Sequence, residues 1–316
     1  MRAFLIGFSG LILGITIFLL GLRLMSTALG SAAGTRLKHI LSRLVRTPAQ
    51  GALTGAAATA VVQSSSAVAA ICVGLVNSGV FTLEQAFGVI LGANVGTTLT
   101  AQLVAFDLTQ YAPLMMLLGL GIVVMLKKRR AGEALFGFGA LVFGLSLINQ
   151  AVKPWLASEF ASWALTELTS NRLQAVLVGI VVTAVIQSSS AVTSLVVMLA
   201  QTDAITLEAA VGIALGSNIG TVLTTIFASI GTIRESKATA LADLMFNVLG
   251  VVLLLFLMEP FLQLVTWTSD QLPRQVANAH TLFNVLTAVV ALPLIPYLAA
   301  LAWYGAGFVS GSKKYK

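Results

Sequence analysis

The sequence predicts an all-α polytopic membrane protein of two inverted-topology repeats, each with a re-entrant helical hairpin, about seven full spans, and an N-out/C-in orientation. Three observations predict it. The 316 residues are 58% hydrophobic and only 9% charged, with mean hydropathy +0.97, whereas a soluble domain carries roughly a quarter charged residues. The apolar residues fall in runs that approach or exceed the roughly 20 helical residues a bilayer core takes. And one ten-residue segment with a polar centre occurs twice. The net charge of +7 falls between the apolar runs, which suits anchoring and orientation rather than nucleic acid. One cysteine, Cys72, and two histidines build neither an internal disulfide nor a transition-metal cluster, and no cofactor is expected.

The repeat sets the organisation. Thr59-Ala60-Val61-Val62-Gln63-Ser64-Ser65-Ser66-Ala67-Val68 returns as Thr183-Ala184-Val185-Ile186-Gln187-Ser188-Ser189-Ser190-Ala191-Val192, identical at nine of ten positions and displaced by 124 (187 minus 63). At the same displacement Thr82-Leu83-Glu84 returns as Thr206-Leu207-Glu208, and Gly92-Ala93-Asn94-Val95-Gly96-Thr97 as Gly216-Ser217-Asn218-Ile219-Gly220-Thr221. The chain divides into repeat 1 (1–126), a basic cytoplasmic linker (127–133), repeat 2 (134–258), and a final transmembrane helix with a basic tail (259–316). The first apolar run is too long for a signal-peptide core of about 7–15 residues, although Ser31-Ala32-Ala33-Gly34 looks loosely cleavable.

Full spans are expected at 3–29, 82–105, 111–126, 133–150, 205–230, 237–258 and 280–303. The remaining apolar segments, 48–80 and 173–202, carry Gln-Ser-Ser-Ser at their centres, and the positive-inside rule decides how they run. Arg36, Lys38, Arg43 and Arg46 place the loop before 48–80 in the cytoplasm. If 48–80 turns back on itself, Lys127-Lys128-Arg129-Arg130, Arg234, Lys237 and the tail Lys313, Lys314 and Lys316 all join them. If it crosses, the 127–130 cluster lands outside. The loop before the second hairpin is neutral, with Glu159 and Glu167 against Lys153 and Arg172. One copy then faces in and the other out, as in secondary transporters whose broken helices meet near the midplane.

Polar groups at membrane depth survive only when buried in protein or lining a watery cavity. Gln63 through Ser66 and Gln187 through Ser190 offer two amides and six hydroxyls, all neutral, able to ligate a hard cation by oxygen and an oxyanion by hydrogen. Serines at a hairpin tip also open a second half-helix, whose free N–H groups and positive dipole end favour an anion. Asn94 and Asn218 are flanked by Gly92, Gly96, Gly216 and Gly220, which loosen a helix and allow close approach; an unwound span opposite each hairpin is expected there. Thr97, Thr98, Thr221 and Thr224 follow within a turn. Small polar residues also serve as packing between membrane helices, but packing does not require the same Gln and Asn twice.

The remaining charges have plainer readings. Glu84 and Glu208 lie in first helical turns as dipole partners, Asp107 and Asp203 fall near span ends, and His39 sits in a basic interfacial helix 35–46. Arg23, late in the first span, snorkels to the cytoplasmic face. Asp243 differs, because it interrupts an apolar span. Its surroundings, Ala242-Asp243-Leu244-Met245-Phe246-Asn247-Val248-Leu249, echo Ala279-His280-Thr281-Leu282-Phe283-Asn284-Val285-Leu286, so Asp243, Asn247, His280 and Asn284 are candidates for coupling or for helix pairing. With no cationic side chain among the motif residues, a bound anion needs helix dipoles and co-bound cations, which favours cation-coupled symport.

The doubled Gln-Ser-Ser-Ser-Ala motif, each copy followed by Gly-Ala/Ser-Asn-Val/Ile-Gly-Thr, resembles the sodium/phosphate cotransporter family, the bacterial relatives of the animal type II carriers. The resemblance covers nearly the whole chain. It implies sodium-coupled symport of inorganic phosphate across the bacterial cytoplasmic (inner) membrane by alternating access. The motif residues then bind phosphate through Ser64, Ser65, Ser66, Ser188, Ser189, Ser190, Asn94 and Asn218, and sodium through Gln63, Gln187, Thr97, Thr98, Thr221 and Thr224. Partners are phosphate, sodium and the lipid bilayer, with a homodimer left open and no nucleic acid. Many bacterial members carry a soluble helical C-terminal domain resembling PhoU; this chain ends at Lys316, and regulation through such a domain is not expected. Where the family carries Ala-His-x-x-Phe-Asn in the penultimate span, this sequence has Asp243 in place of the histidine. Alternatives are a downhill anion channel or uniporter, a symporter of another oxyanion, and a serine hydrolase, the last lacking a base near either serine motif. The protein is not expected to be an enzyme.

Overall fold

The computed structural model describes residues 2–106, 108–156, 167 and 171–309, and every element among them is helical. Asp107, Glu159 and the basic tail 313–316 lie outside the described residues. Helix α1 (Arg2–Leu44) is continuous, so the expected first span and the interfacial helix 35–46 are one rod. No proline interrupts that stretch, and the hydrogen-bond ladder runs on until the chain nears Pro48. Thr47 then caps α2 (Pro48–Val62) by accepting from the Gln50 N–H, with proline at the helix start, where its missing N–H costs nothing.

Helix α3 (Ser65–Asn77) and helix α4 (Leu83–Val104) complete the first motif unit. The directions follow from glycine contacts. A Cβ on Gly88 would lie 2.3 Å from Pro48 O, one on Gly92 1.8 Å from Ala52 O, and one on Gly96 2.4 Å from Ala56 O. Helices α2 and α4 therefore run side by side in the same direction with backbones touching, and α3 carries the chain back between them. At their shared start the Gln85 amide donates to Val45 O and Arg46 O, and Thr82 and Gln85 form a capping box. The expected unwinding at Gly92–Gly96 does not occur: α4 is unbroken, as is its counterpart in the second copy. The glycines serve close approach, because the carbonyl of the neighbouring helix occupies the place of a Cβ.

A 3-10 turn (Thr109–Tyr111) and helix α5 (Ala112–Val124) lead to helix α6 (Arg129–Leu156). Helices α1 and α6 are antiparallel and equally close: a Cβ on Gly21 would meet Leu141 N at 2.4 Å, and one on Gly137 would meet Met25 N at 2.5 Å. The second motif unit repeats the first as α7 (Arg172–Ile186), α8 (Ser189–Gln201) and α9 (Leu207–Ser229). Gly216 backs on Val176 and Gly220 on Ile180, so α7 and α9 are again parallel. Helices α10 (Arg234–Phe256), α11 (Met258–Thr266), α12 (Leu272–Ala291) and α13 (Ile295–Val309) close the chain, the last two separated by a 3-10 turn at Leu292–Leu294.

Long-range bonds fix which ends lie together. The Ile233 N–H donates to Asn77 Oδ1 at 3.1 Å and Ser236 to Val73 O at 3.1 Å, so α9 ends and α10 starts where α3 ends and α4 begins. The Gln102 amide, at the far end of α4, donates to Asn278 and Thr281 on α12. At that far end Arg172 pairs with both Glu208 and Glu259, binding α7, α9 and α11 together. Lys38, Arg43, Arg46, the 127–130 cluster, Arg234 and Lys237 share the opposite end.

Six stretches among the described residues are long and apolar enough to cross a bilayer: Ser9–Ser31, Leu83–Val104, Arg129–Val152, Leu207–Ser229, Arg234–Phe256 and Leu272–Gly307. The expected span 111–126 yields only the 13-residue α5, and the last span begins at 272 rather than 280. Outward faces are apolar. On α7, Leu173, Leu177, Val181 and Val185 are exposed at four-residue spacing, while Ala175, Val176, Gly179 and Thr183 are buried. Such a stripe has no place in water but suits lipid tails.

Candidate functional site

Each motif unit breaks at its glutamine. Gln63 has φ 57° and ψ 30°, and Gln187 has φ 61° and ψ 25°, a left-handed conformation that costs a non-glycine residue roughly 1–2 kcal/mol. The side chains hold this turn in place. The Gln63 amide donates to Ala60 O and its Oε1 accepts from Thr100. The Gln187 amide donates to Ala184 O and its Oε1 accepts from Thr224 at 2.7 Å. Thr100 and Thr224 are related by the repeat displacement, so the glutamine brace is duplicated along with the motif.

Immediately after each glutamine a serine caps the next helix. Ser64 Oγ accepts from the Ala67 N–H at 3.2 Å, and Ser188 Oγ accepts from the Ala191 N–H at 3.3 Å. The N–H groups of Ser65, Ser66, Ser189 and Ser190 lie in the first turns of α3 and α8, where no intrahelical acceptor exists. Two helix N-termini, each with its positive dipole end, thus come from the two copies.

They meet in one cavity of about 320 Å³, lined by Gln63, Ser64, Ser65, Ser66, Gln187, Ser188, Ser189, Ser190, Thr97 and Thr221, with Leu19, Leu22, Arg23 and Ser26 from α1 and Ile186. Among the described residues no carboxylate lies in this lining. A much smaller chamber of about 10 Å³ adjoins it, bounded by Asn94, Asn218, Thr225 and Asp243 and sharing Ser65, Ser66 and Thr221 with the larger one. Asp243 is 4% exposed; it accepts from Thr225 Oγ at 2.8 Å and from the Asn247 amide at 2.9 Å.

The structure thus brings together most of the residues singled out by the motifs, but not all. Thr98 donates to Val95 O and lines neither cavity. Thr224 stands behind Gln187 rather than in the lining. Asn247, His280 and Asn284 are buried and outside both chambers; Asn247 Oδ1, Asn284 Oδ1 and both His280 ring nitrogens find no hydrogen-bond partner among the described residues. Ser26, Thr100 and Thr225, which the sequence reading did not single out, join the site, as does Arg23, which it read only as a snorkelling residue. The repeat displacement from Thr224 points to Thr100, and Arg23 carries the signal of an ionisable group inside an apolar span. It lines the motif cavity with its side chain exposed.

Long apolar helices, with two helix breaks meeting in a cavity of hydrogen-bonding groups, define a membrane transport protein. The family model described as Na+/Pi-cotransporter matches the chain twice, over residues 17–150 and 152–290. The chain belongs to the Na+/Pi-cotransporter family and is an integral membrane protein.

Among its relatives, the uncharacterized protein YqeW of Bacillus subtilis (strain 168) is 33% identical over 298 residues, 92% of this chain and 94% of that one. The "Putative inorganic phosphate export protein YjbB" of Escherichia coli (strain K12) is 28% identical over 296 residues, and the chain spans 54% of its length. The sodium-dependent phosphate transport protein 2A of Oryctolagus cuniculus is 34% identical over 128 residues, 39% of this chain and 20% of that protein. No solved structure matches the chain at a significant level.

Proposed function

We propose that the chain is a sodium-coupled phosphate symporter of the bacterial cytoplasmic (inner) membrane, working by alternating access between inverted repeats 1–126 and 134–258. The observation that carries this reading is the single cavity lined by one Gln-Ser-Ser-Ser break from each repeat. Phosphate is held by Ser64, Ser65, Ser66, Ser188, Ser189 and Ser190 with the two helix N-termini, and Asn94 and Asn218 close the floor. Sodium takes oxygen from Gln63, Gln187, Thr97 and Thr221. Asp243, with Asn247, His280 and Asn284 behind it, couples cation occupancy to the anion.

The orientation has physical support. Units that begin at opposite ends and meet at their breaks give two re-entrant hairpins, and the basic residues gathered at one end make that end cytoplasmic. The N-terminus is then outside and the C-terminus inside, with 109–124 as the seventh crossing. The names of the relatives include both export and sodium-dependent transport of phosphate; in a symporter the sodium gradient sets the direction, and an inward gradient drives uptake.

Labelled phosphate uptake into proteoliposomes tests the reading. Accumulation above equilibrium under an inward sodium gradient, and none in equimolar potassium, is the expected result. Flux that merely equilibrates with either cation would make the protein a channel or uniporter.

A further inference from the structure

We propose that Arg23 is the fixed cation of the anion site, a guanidinium offered by α1 to an oxyanion held between the two serine motifs. The inference rests on the reading of the larger cavity as the phosphate site. Leu19, Leu22, Arg23 and Ser26 line that cavity together, and their spacing of three and four residues places them on one face of α1. Gly14, Gly21 and Met25 meet α6 instead. Ser26 donates to Gln63 O at 3.4 Å, which sets this face of α1 against the first helix break.

Arg23 lies inside the apolar stretch Ser9–Ser31, about 12 Å of helix from its nearer end. An arginine at that depth faces a polar cavity or a partner, because its charge is costly in hydrocarbon. Among the described residues no hydrogen bond or ion pair engages its side chain, and the cavity it lines contains no carboxylate. The other lining groups are apolar or neutral and polar. Asp243 belongs to the adjoining chamber, which shares only Ser65, Ser66 and Thr221 with the cavity of Arg23. Charge is thus divided: the larger space is positive and suits an anion, and the smaller space has a carboxylate and suits a cation.

The guanidinium fork donates two parallel hydrogen bonds to an oxyanion, which an ammonium cannot reproduce. The bound anion then bridges three chain segments: two helix breaks, and an α1 that is itself locked to α6. Charge-assisted bonds of this kind are worth roughly ten- to a hundredfold in affinity.

The experiment compares wild type, Arg23→Gln and Arg23→Lys in proteoliposomes with labelled inorganic phosphate and an inward sodium gradient. The expected result is a phosphate KM raised about ten- to a hundredfold in Arg23→Gln, a smaller rise in Arg23→Lys, and a sodium half-saturation within about twofold of wild type at saturating phosphate. A second measurement needs no variant: phenylglyoxal labelling of Arg23, read by peptide mass spectrometry, is expected to be suppressed by inorganic phosphate in sodium buffer. A phosphate KM unchanged in Arg23→Gln, or labelling indifferent to phosphate, would overturn the assignment of Arg23 while sodium-driven uptake by wild type left the symporter reading standing. Wild type that neither transports phosphate nor is protected by it would remove both.

Discussion

Replacing Gly92 by alanine tests how the first helix break is held in position. The new Cβ would sit 1.8 Å from Ala52 O, 2.6 Å from its carbonyl carbon and 2.8 Å from its Cα. All three are backbone atoms, so no rotamer change relieves the clash. Ordinary contact begins at 3.4 Å, and α2 must therefore retreat from α4 by about 1.6 Å, the difference of the two distances. Overpacking of this kind costs about 1–3 kcal/mol, offset by roughly 0.5–1 kcal/mol from alanine's better helix propensity. A net loss of about 1–2 kcal/mol lowers the thermal midpoint by roughly 2–8 °C.

The functional effect is larger than the stability effect. Helix α2 ends in Gln63, whose carbonyl and side chain anchor Ser26 and Thr100, and a misplacement of about 1 Å at a reacting or binding group costs on the order of a hundredfold. Gly92→Ala and its counterpart Gly216→Ala, whose Cβ would lie 2.0 Å from Val176 O, are each expected to lower sodium-driven phosphate uptake about ten- to a hundredfold with the protein still folded and inserted. Gly74→Ala is the control, since a Cβ there meets nothing within 4 Å. Detergent-solubilised melting curves and initial uptake rates at matched protein density are the assays. Gly92→Ala uptake within twofold of Gly74→Ala would refute the claim that backbone contact between α2 and α4 positions the motif.

Thr224→Val and Thr100→Val each leave a glutamine Oε1 without its donor, at about 1–3 kcal/mol, and are expected to lower the maximal uptake rate severalfold, whereas Thr98→Val, away from both cavities, leaves transport near wild type; equal effects from all three would contradict the brace. Asp243→Asn removes the charge from the smaller chamber while keeping its shape, and the sodium half-saturation is expected to rise at least about tenfold, read from uptake against sodium concentration at saturating phosphate; an unchanged sodium curve would separate Asp243 from coupling. Glu208→Gln removes one of the two carboxylates on Arg172, a side chain 34% exposed, and solvent screening leaves such a pair little weight, so the melting temperature is expected to stay near that of wild type; a collapse of folding on this change would show that the contact between α7, α9 and α11 is more than a surface pair.

The duplication made much of this architecture legible, because identical residues at one displacement must occupy equivalent places. The breaks at Gln63 and Gln187 lie at the centres of 48–80 and 173–202, where polar residues interrupt apolar runs. Hydropathy is blind to what happened elsewhere. It cannot tell that 30–36 continues a helix, since small residues neither favour nor forbid one when no proline intervenes. It also missed that α12 begins at Leu272, because Asn278, His280 and Thr281 dilute the apolar signal, two of them, Asn278 and Thr281, bonded by Gln102 of α4. The glycines around Asn94 read equally well as loosening a helix or admitting a neighbour, and only the position of Ala52 O decides for the second. Thr98 and Thr100 are both near the motif in sequence, but helical rotation puts only Thr100 on Gln63. Arg23 reads as a snorkelling residue until α1 is seen to border the cavity, a long-range fact that no local pattern contains.

The central claim is that the two repeats build one anion site together. Equilibrium binding of labelled phosphate to the purified protein in sodium, with wild type, Ser65→Ala and Ser189→Ala, tests it most directly. The account predicts one phosphate per chain, with affinity lost in either single variant. Two phosphates per chain, or a variant in one motif that leaves a full-affinity site in the other, would contradict it.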